Sequence, residues 1–275
     1  MNINNIISEI EKADPELYQK LDGRRAAMKS FARFSGKVAV AALPFAVGSM
    51  FNKAYGQAPS SSVLDVLNFA LTLEYLESNF YIKGLATPGL VPAGADMNAL
   101  TTIRDHEAAH VTFLRTAITA SGGTPVTFTA AQFDFTAKGT FPDIFSNYDT
   151  FLAVSQALED TGVRAYKGQA PNLISNNDVL TAALNIHSVE ARHASHVRQM
   201  RKARGADVKP WITGNNNGIG PVANGNYAGE EITTQAGVNI ININGFMISA
   251  AAASEAFDEP LTKEQVVALV TPFFA

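Results

Sequence analysis

Two copies of one motif, Glu107-Ala-Ala-His110 and Glu190-Ala-Arg-His193, constrain this chain more than any other feature. On a helix, a Glu and a His three residues apart sit about 60° apart on one face, so both side chains reach a common point beside the axis. Each pair lies in the middle of an apolar stripe. Leu100, Ile103, Glu107, His110, Leu114 and Ala117 repeat at spacings of three and four, as do Val179, Ala183, Ile186, Glu190, His193, Val197 and Met200. A carboxylate on such a stripe is costly to bury unless it is paired or bound to metal.

Each motif is preceded by another helical segment with a glutamate on its apolar face. In LNFALTLEYLESNFY, Leu67, Leu71, Glu74 and Tyr81 share a face; in FLAVSQALEDTGVRAY, Leu152, Glu159, Val163 and Tyr166 do. The order Glu, Glu-x-x-His, Glu, Glu-x-x-His is the pattern by which a four-helix bundle holds a di-iron or di-manganese pair in its core. All five histidines fall in the two motif helices, at 106, 110, 187, 193 and 196. Four carboxylates and two neutral imidazoles balance two divalent cations, and so oxygen-rich a donor set suits iron or manganese better than zinc. With no cysteine, thiolate and iron-sulfur sites are excluded.

Residues 61 to 204 carry a resemblance to the ferritin-like superfamily, and within it to the ferritin-like-domain branch that includes desiccation-related proteins. The Asn68, Glu74 and Tyr81 spacing resembles the first helix of bacterioferritins, while QALEDTGVRAYKGQA (Gln156 to Ala170) and SEAFDEPLTKEQV (Ser254 to Val266) resemble the branch itself. The resemblance implies an all-α, ferritin-like four-helix bundle of two antiparallel hairpins joined by a long crossover. It also implies that Glu74, Glu107, His110, Glu159, Glu190 and His193 are ligands to two iron or manganese ions. Glu74 and His110 with bridging Glu107 would hold one ion, and Glu159 and His193 with bridging Glu190 the other.

Neighbouring residues leave alternatives. Glu77 shares a stripe with Ala70, Leu73 and Phe80, so it can replace Glu74 or bridge beside it. His187, three residues before Glu190, is a further candidate at the metal or behind it. His106 and His196 have more polar neighbours and read as surface groups or as outer hydrogen-bond partners. Tyr81 and Tyr166 stand one heptad beyond Glu74 and Glu159, where a phenol either bonds a ligand or packs in the core. Asp160 and Arg164 read as an ordinary i, i+4 helical pair.

Gly-Pro punctuation places the four helices at about 61–84, 96–121, 142–169 and 176–204, with the segment from Ser121 to Phe141 crossing the length of the bundle so that the second and third helices run parallel. Residues 59–204 are thus the bundle. From Gly205 to the end, 205–275, the chain becomes Asn- and Gly-rich; it reads as an irregular extension with at best a short strand near 237–244 and a terminal helix. Thr262 and Gln265 form that helix's capping box and Pro272 stops it. The extension is expected to cover one side or end of the bundle.

Residues 1–58 differ. Arg24-Arg25-Ala26-Ala27-Met28-Lys29, a weakly apolar run from Val38 to Phe51, Lys53 and the small-residue stretch Ala54-Tyr55-Gly56 resemble a twin-arginine export signal, with cleavage after Gly56. The apolar run is short for a membrane span; a cytoplasmic amphipathic arm is the alternative. The expected partners are therefore the twin-arginine export machinery and small molecules such as O2 or H2O2, and the expected location is periplasmic or extracellular. The net charge of −4 offers no basic surplus for nucleic acid. These features point to a dimetal protein reacting with O2 or H2O2 in oxidative or desiccation stress, as a ferroxidase or peroxide-consuming oxidoreductase. The alternative is a structural or stress-related envelope protein whose metal is structural or vestigial. A third possibility, an oxygenase with an organic substrate, requires a channel between the first and third helices. Nothing resembles a cage-forming fifth helix directly after the fourth, so a monomer or dimer is expected.

Overall fold

The computed structural model describes residues 61–275. The segment read as an export signal lies outside the described residues. Four long helices, α1 (Ser61–Ala86), α2 (Ala95–Ala120), α3 (Tyr148–Gln169) and α4 (Asn177–Ala203), form the bundle. Most of their mutual contact is within the hairpins α1–α2 and α3–α4. Among the described residues, no helix is long and apolar enough to cross a membrane.

Helix α3 starts at Tyr148, later than the expected 142. The Asn147 side chain caps it by accepting from the backbone N–H groups of Asp149 and Thr150, and residues 141–147 form turns instead, with Ile144 N donating to Phe141 O and Asn147 N to Asp143 O. A cap satisfies helix-end donors that would otherwise stay unpaired, so the cap fixes the start. Asn176 caps α4 in the same way through Val179 N.

The crossover runs the length of the bundle. At its beginning, Asn68 near the start of α1 accepts from Val126 N and donates to Thr124 O. At its end, Phe135 and Phe145 pack on Phe80 near the end of α1. Phe80 also stacks on Phe151 of α3, with centroids 4.7 Å apart. That contact is possible because a Cβ on Gly84 would lie 2.3 Å from the Phe151 ring. The crossover therefore delivers the chain from the finish of α2 to the opposite end, and α2 and α3 run parallel.

After α4 the chain is irregular, with short helices α5 (Asn224–Tyr227) and α6 (Ala250–Ser254), a two-strand hairpin of β1 (Thr234–Gln235) and β2 (Val238–Asn239), and the terminal helix α7 (Lys263–Val270). The Thr262–Gln265 capping box starts α7, and Pro272 lies in the 3-10 turn that follows it. The extension lies against α3. Leu261 N donates to Arg164 O, and a Cβ on Gly168 would sit 1.9 Å from Leu261 O, so glycine is required for the strap to come this close. Val266 and Val270 of α7 are buried, and the C-terminus pairs with the crossover through Asp134 N to Phe273 O and Ala275 N to Gln132 O.

The extension changes the environment of α3, which is buried on nearly every face. Asp160 and Arg164 are not paired with each other as the i, i+4 spacing suggests. Asp160 accepts from the Arg198 guanidinium at 3.0 and 2.6 Å and from Tyr227 Oη at 2.6 Å. Arg164 meets Glu230 at 2.7 Å and donates to the carbonyls of Glu259, Asn226 and Ala228. Gln156 joins this network by donating to Tyr227 Oη and Asn217 O and accepting from Arg201. Each of these partners comes from α4 or from the extension, because α3 is sandwiched between them.

Candidate metal centre

Glu74 is brought inward by α1, Glu107 and His110 by α2, Glu159 by α3, and Glu190 and His193 by α4, and all six side chains converge in the bundle core. The four glutamates are fully buried, and His110 and His193 nearly so. Both histidines present Nδ1 to the carboxylates. His110 Nδ1 is 3.1 Å from Glu74, 3.4 Å from Glu107 and 3.0 Å from Glu190. His193 Nδ1 is 2.8 Å from Glu107, 3.3 Å from Glu159 and 3.7 Å from Glu190.

These donors form two overlapping groups, Glu74, Glu107, His110 and Glu190, and Glu107, Glu159, Glu190 and His193, each with its ligand atoms within 4.8 Å of one another. Glu107 and Glu190 belong to both, so each is placed to bridge. Among the described residues, both oxygens of Glu107, both of Glu190, one of Glu159 and Nδ1 of His193 have no hydrogen-bond partner. His193 Nδ1 lies only 2.8 Å from a Glu107 oxygen without meeting it in hydrogen-bond geometry, whereas His110 Nδ1 bonds Glu74 at 3.1 Å. Orphaned buried polar atoms are rare and costly. Cations at the two centres would satisfy all of them, and a set of four carboxylates and two imidazoles suits a pair of divalent transition metals.

Two tyrosines hold the outer glutamates crosswise. Tyr81 of α1 donates to Glu159 of α3 at 2.5 Å, and Tyr166 of α3 donates to Glu74 of α1. His193 Nε2 lies 2.9 Å from Nδ1 of His106, whose ring stacks on it at 5.2 Å between centroids. His106 is exposed, so this bond ties an interior imidazole to the surface. The sequence signal for it was weak, because His106 is the residue next to Glu107 and its own turn is polar.

Glu77 is also buried and faces the cluster without joining either donor group, and its oxygen lies 3.4 Å from where a Cβ on Gly162 would be. His187 is half-buried, bonds none of the six, and its Nε2 has no partner among the described residues. His196 is exposed.

Burial, reinforced by neighbouring carboxylates, pushes Glu77 well above the usual carboxylate range. Burial and the Glu190 charge do the same to Glu107 against the opposing pull of both imidazoles. Burial raises Glu159 to about 7 although His193 opposes it. For Glu190 burial acts in the same direction, but the two imidazoles outweigh it and hold the group below the usual range. His110 and His193 are raised, because the surrounding carboxylates overcome the effect of burial. Without cations the cluster therefore retains protons that metal would replace.

The ferritin-like domain family matches the chain over residues 62–203, the four helices and the crossover between the hairpins. No curated protein matches it.

Proposed function

The chain belongs to the ferritin-like domain family, and on that premise we propose that it is an exported dimetal carboxylate protein that reacts with O2 or H2O2 in oxidative or desiccation stress. The observation that carries this reading is the pair of overlapping donor groups sharing Glu107 and Glu190, with their oxygens left unbonded. Glu74 and His110 would hold one ion and Glu159 and His193 the other, with Glu107 and Glu190 between them. Bound iron or manganese supplies the one-electron changes that reduction of O2 or peroxide needs.

The chain's own residues prepare that chemistry. Tyr81 and Tyr166 fix the outer glutamates, which leaves a single oxygen of each free to turn inward. His106 holds the ring plane of His193, and in the tautomer whose Nε2–H donates to His106 the Nδ1 of His193 carries a lone pair for a metal. Export by the twin-arginine route, which carries folded proteins, is compatible with a site loaded beforehand. A monomer or dimer is part of the same reading.

Metal analysis of the protein purified from its export route, together with O2 and peroxide consumption assays, tests this. Two iron or manganese ions per chain and consumption abolished in a Glu107→Ala, Glu190→Ala double variant are expected. Less than one ion per chain after loading would sink the proposal. A second reading, in which metal is structural and the protein acts through its surface, draws on the exposed Phe246 and Met247 of the extension. Under it, the metal-free double variant keeps its protective effect in a desiccation survival assay.

A further inference from the structure

A cavity of about 20 Å³ lies inside the bundle, at the end where α1 and α4 begin and α2 and α3 finish. Its position relative to the metal centre is set by helical turns. Ala70 lies one turn before Glu74, Leu114 one turn after His110, and Ile186 one turn before Glu190, and all three line it. Ala117, Ala183 and Leu73 complete the apolar wall. The ring of Tyr166 is also part of the lining and its hydroxyl bonds Glu74, so this side chain connects the cavity wall to the centre.

The chemistry of the wall decides what can occupy it. Of its polar groups, Tyr166 Oη donates to Glu74 and Gln169 Oε1 accepts from Asn172 at 3.0 Å, which leaves the Gln169 amide N–H as the wall's one open donor among the described residues. A trapped water requires two to four polar partners, and apolar cavities stay dry and take up apolar gases. Hydrogen peroxide and a hydrated cation need more hydrogen bonds than water does. A space of about 20 Å³ suits one small apolar occupant.

We propose that this cavity is a binding pocket for dioxygen that feeds the metal centre from the α1–α4 starting end. The inference rests on the reading that the centre reduces O2, and it narrows that reading: O2 has a dedicated apolar place beside the site, and peroxide does not.

Dioxygen is paramagnetic, so its occupancy can be read directly. Methyl NMR of the full metal-free chain under O2 pressure should show relaxation concentrated on Leu73, Leu114, Ala117, Ala183 and Ile186, with the same methyls shifting under xenon. Ala117→Val fills the space from the wall and should abolish both effects. Ala183→Val is the second variant should Ala117→Val not fold. In metal-loaded protein either substitution should raise the KM for O2 several-fold, with metal content and peroxide consumption unchanged. Relaxation spread evenly over surface methyls overturns the pocket. An unchanged KM in a variant that has lost the relaxation overturns the feeding role. Concentrated relaxation in a protein that consumes no oxygen when loaded counts against the functional reading alone and leaves the pocket standing.

Discussion

Glu107→Gln separates the energetic cost of the metal-free centre from its role in binding. In the folded metal-free chain, burial and Glu190 push the Glu107 carboxyl well above its ordinary value of 4.5. The folded state therefore keeps a proton that the unfolded chain releases near 4.5. Stability drawn from this group is fully present below that pH and is lost as pH rises towards the folded value, because the folded state binds the extra proton throughout that window. One proton contributes about 1.36 kcal/mol per pH unit, so from pH 5 to pH 8 the loss reaches about 4 kcal/mol if the group stays protonated. Glutamine imitates the protonated carboxyl in shape and charge and has nothing to titrate.

Chelator-treated wild type and Glu107→Gln should consequently unfold at similar temperatures at pH 5. At pH 8 the variant should melt higher by about 8–16 °C, taking about 2–4 °C per kcal/mol for a domain of this size. Glu77, His110 and His193, and Glu159 up to about pH 7, also lose stability as pH rises. Glu107 is one of the carboxylates that raise the two imidazoles, so the difference between the proteins reports Glu107 together with its effect on them. Metal should raise the wild-type midpoint at pH 8 far more than at pH 5, because it replaces the retained protons, and should raise that of the variant much less. If the two metal-free proteins lose stability in parallel between pH 5 and pH 8, Glu107 is not held protonated in a shared cluster and the argument from convergence fails.

Asp160→Ala leaves Arg198 buried without its counter-charge and should destabilise the chain by about 3–5 kcal/mol in urea unfolding. Asp160→Leu combined with Arg198→Met should recover most of the loss, and a midpoint unmoved by the single change would show that the network does not hold the extension. His106→Ala should weaken metal binding by about 10–100-fold in chelator competition, since outer partners of ligating histidines commonly carry that much; equal affinity would reduce the His106–His193 bond to a surface contact. Tyr166→Phe removes a donor from buried Glu74 and should cost about 2 kcal/mol of metal-free stability in thermal unfolding, whereas no loss would mean the phenol only packs.

Much of the bundle was legible because the ligands repeat at helical spacing and the turns are marked by glycine and proline. Glu107 and His110 stood out by being polar on an apolar stripe, and the crossover followed from a long segment between two hairpins. The start of α3 did not follow, because Asn147 acts through its side chain and the preceding Pro142-Asp143 also suits a first helical turn. Spacing puts a Glu beside each His, which is why Glu107 and Glu190 read as the bridging pair; that each belongs to both donor groups depends on how α2 packs against α4. Tyr81 and Tyr166 show the same limit. Their heptad spacing from Glu74 and Glu159 puts them on the right face, while the crosswise pairing depends on how α1 meets α3.

The back face of α3 shows why local pattern misled. Gln156, Asp160 and Arg164 recur at a spacing of four, which on a bundle helix reads as the face in water. The extension from Gly205 onwards covers that face and supplies Tyr227, Glu230 and a row of backbone carbonyls as partners. These partners lie more than sixty residues from their α3 counterparts in sequence, beyond the reach of any periodicity. The two buried polar clusters therefore differ in kind. Around Asp160 and Arg198 every guanidinium has found an acceptor, which is what a fold does with polar groups it must keep. Around Glu107 and Glu190 four carboxylates converge on two imidazoles, at 2.8 to 3.7 Å, and no gain in packing requires that. A bundle made only to be stable would place leucine there, so the convergence of Glu74, Glu107, Glu159 and Glu190 suits a site able to hold cations.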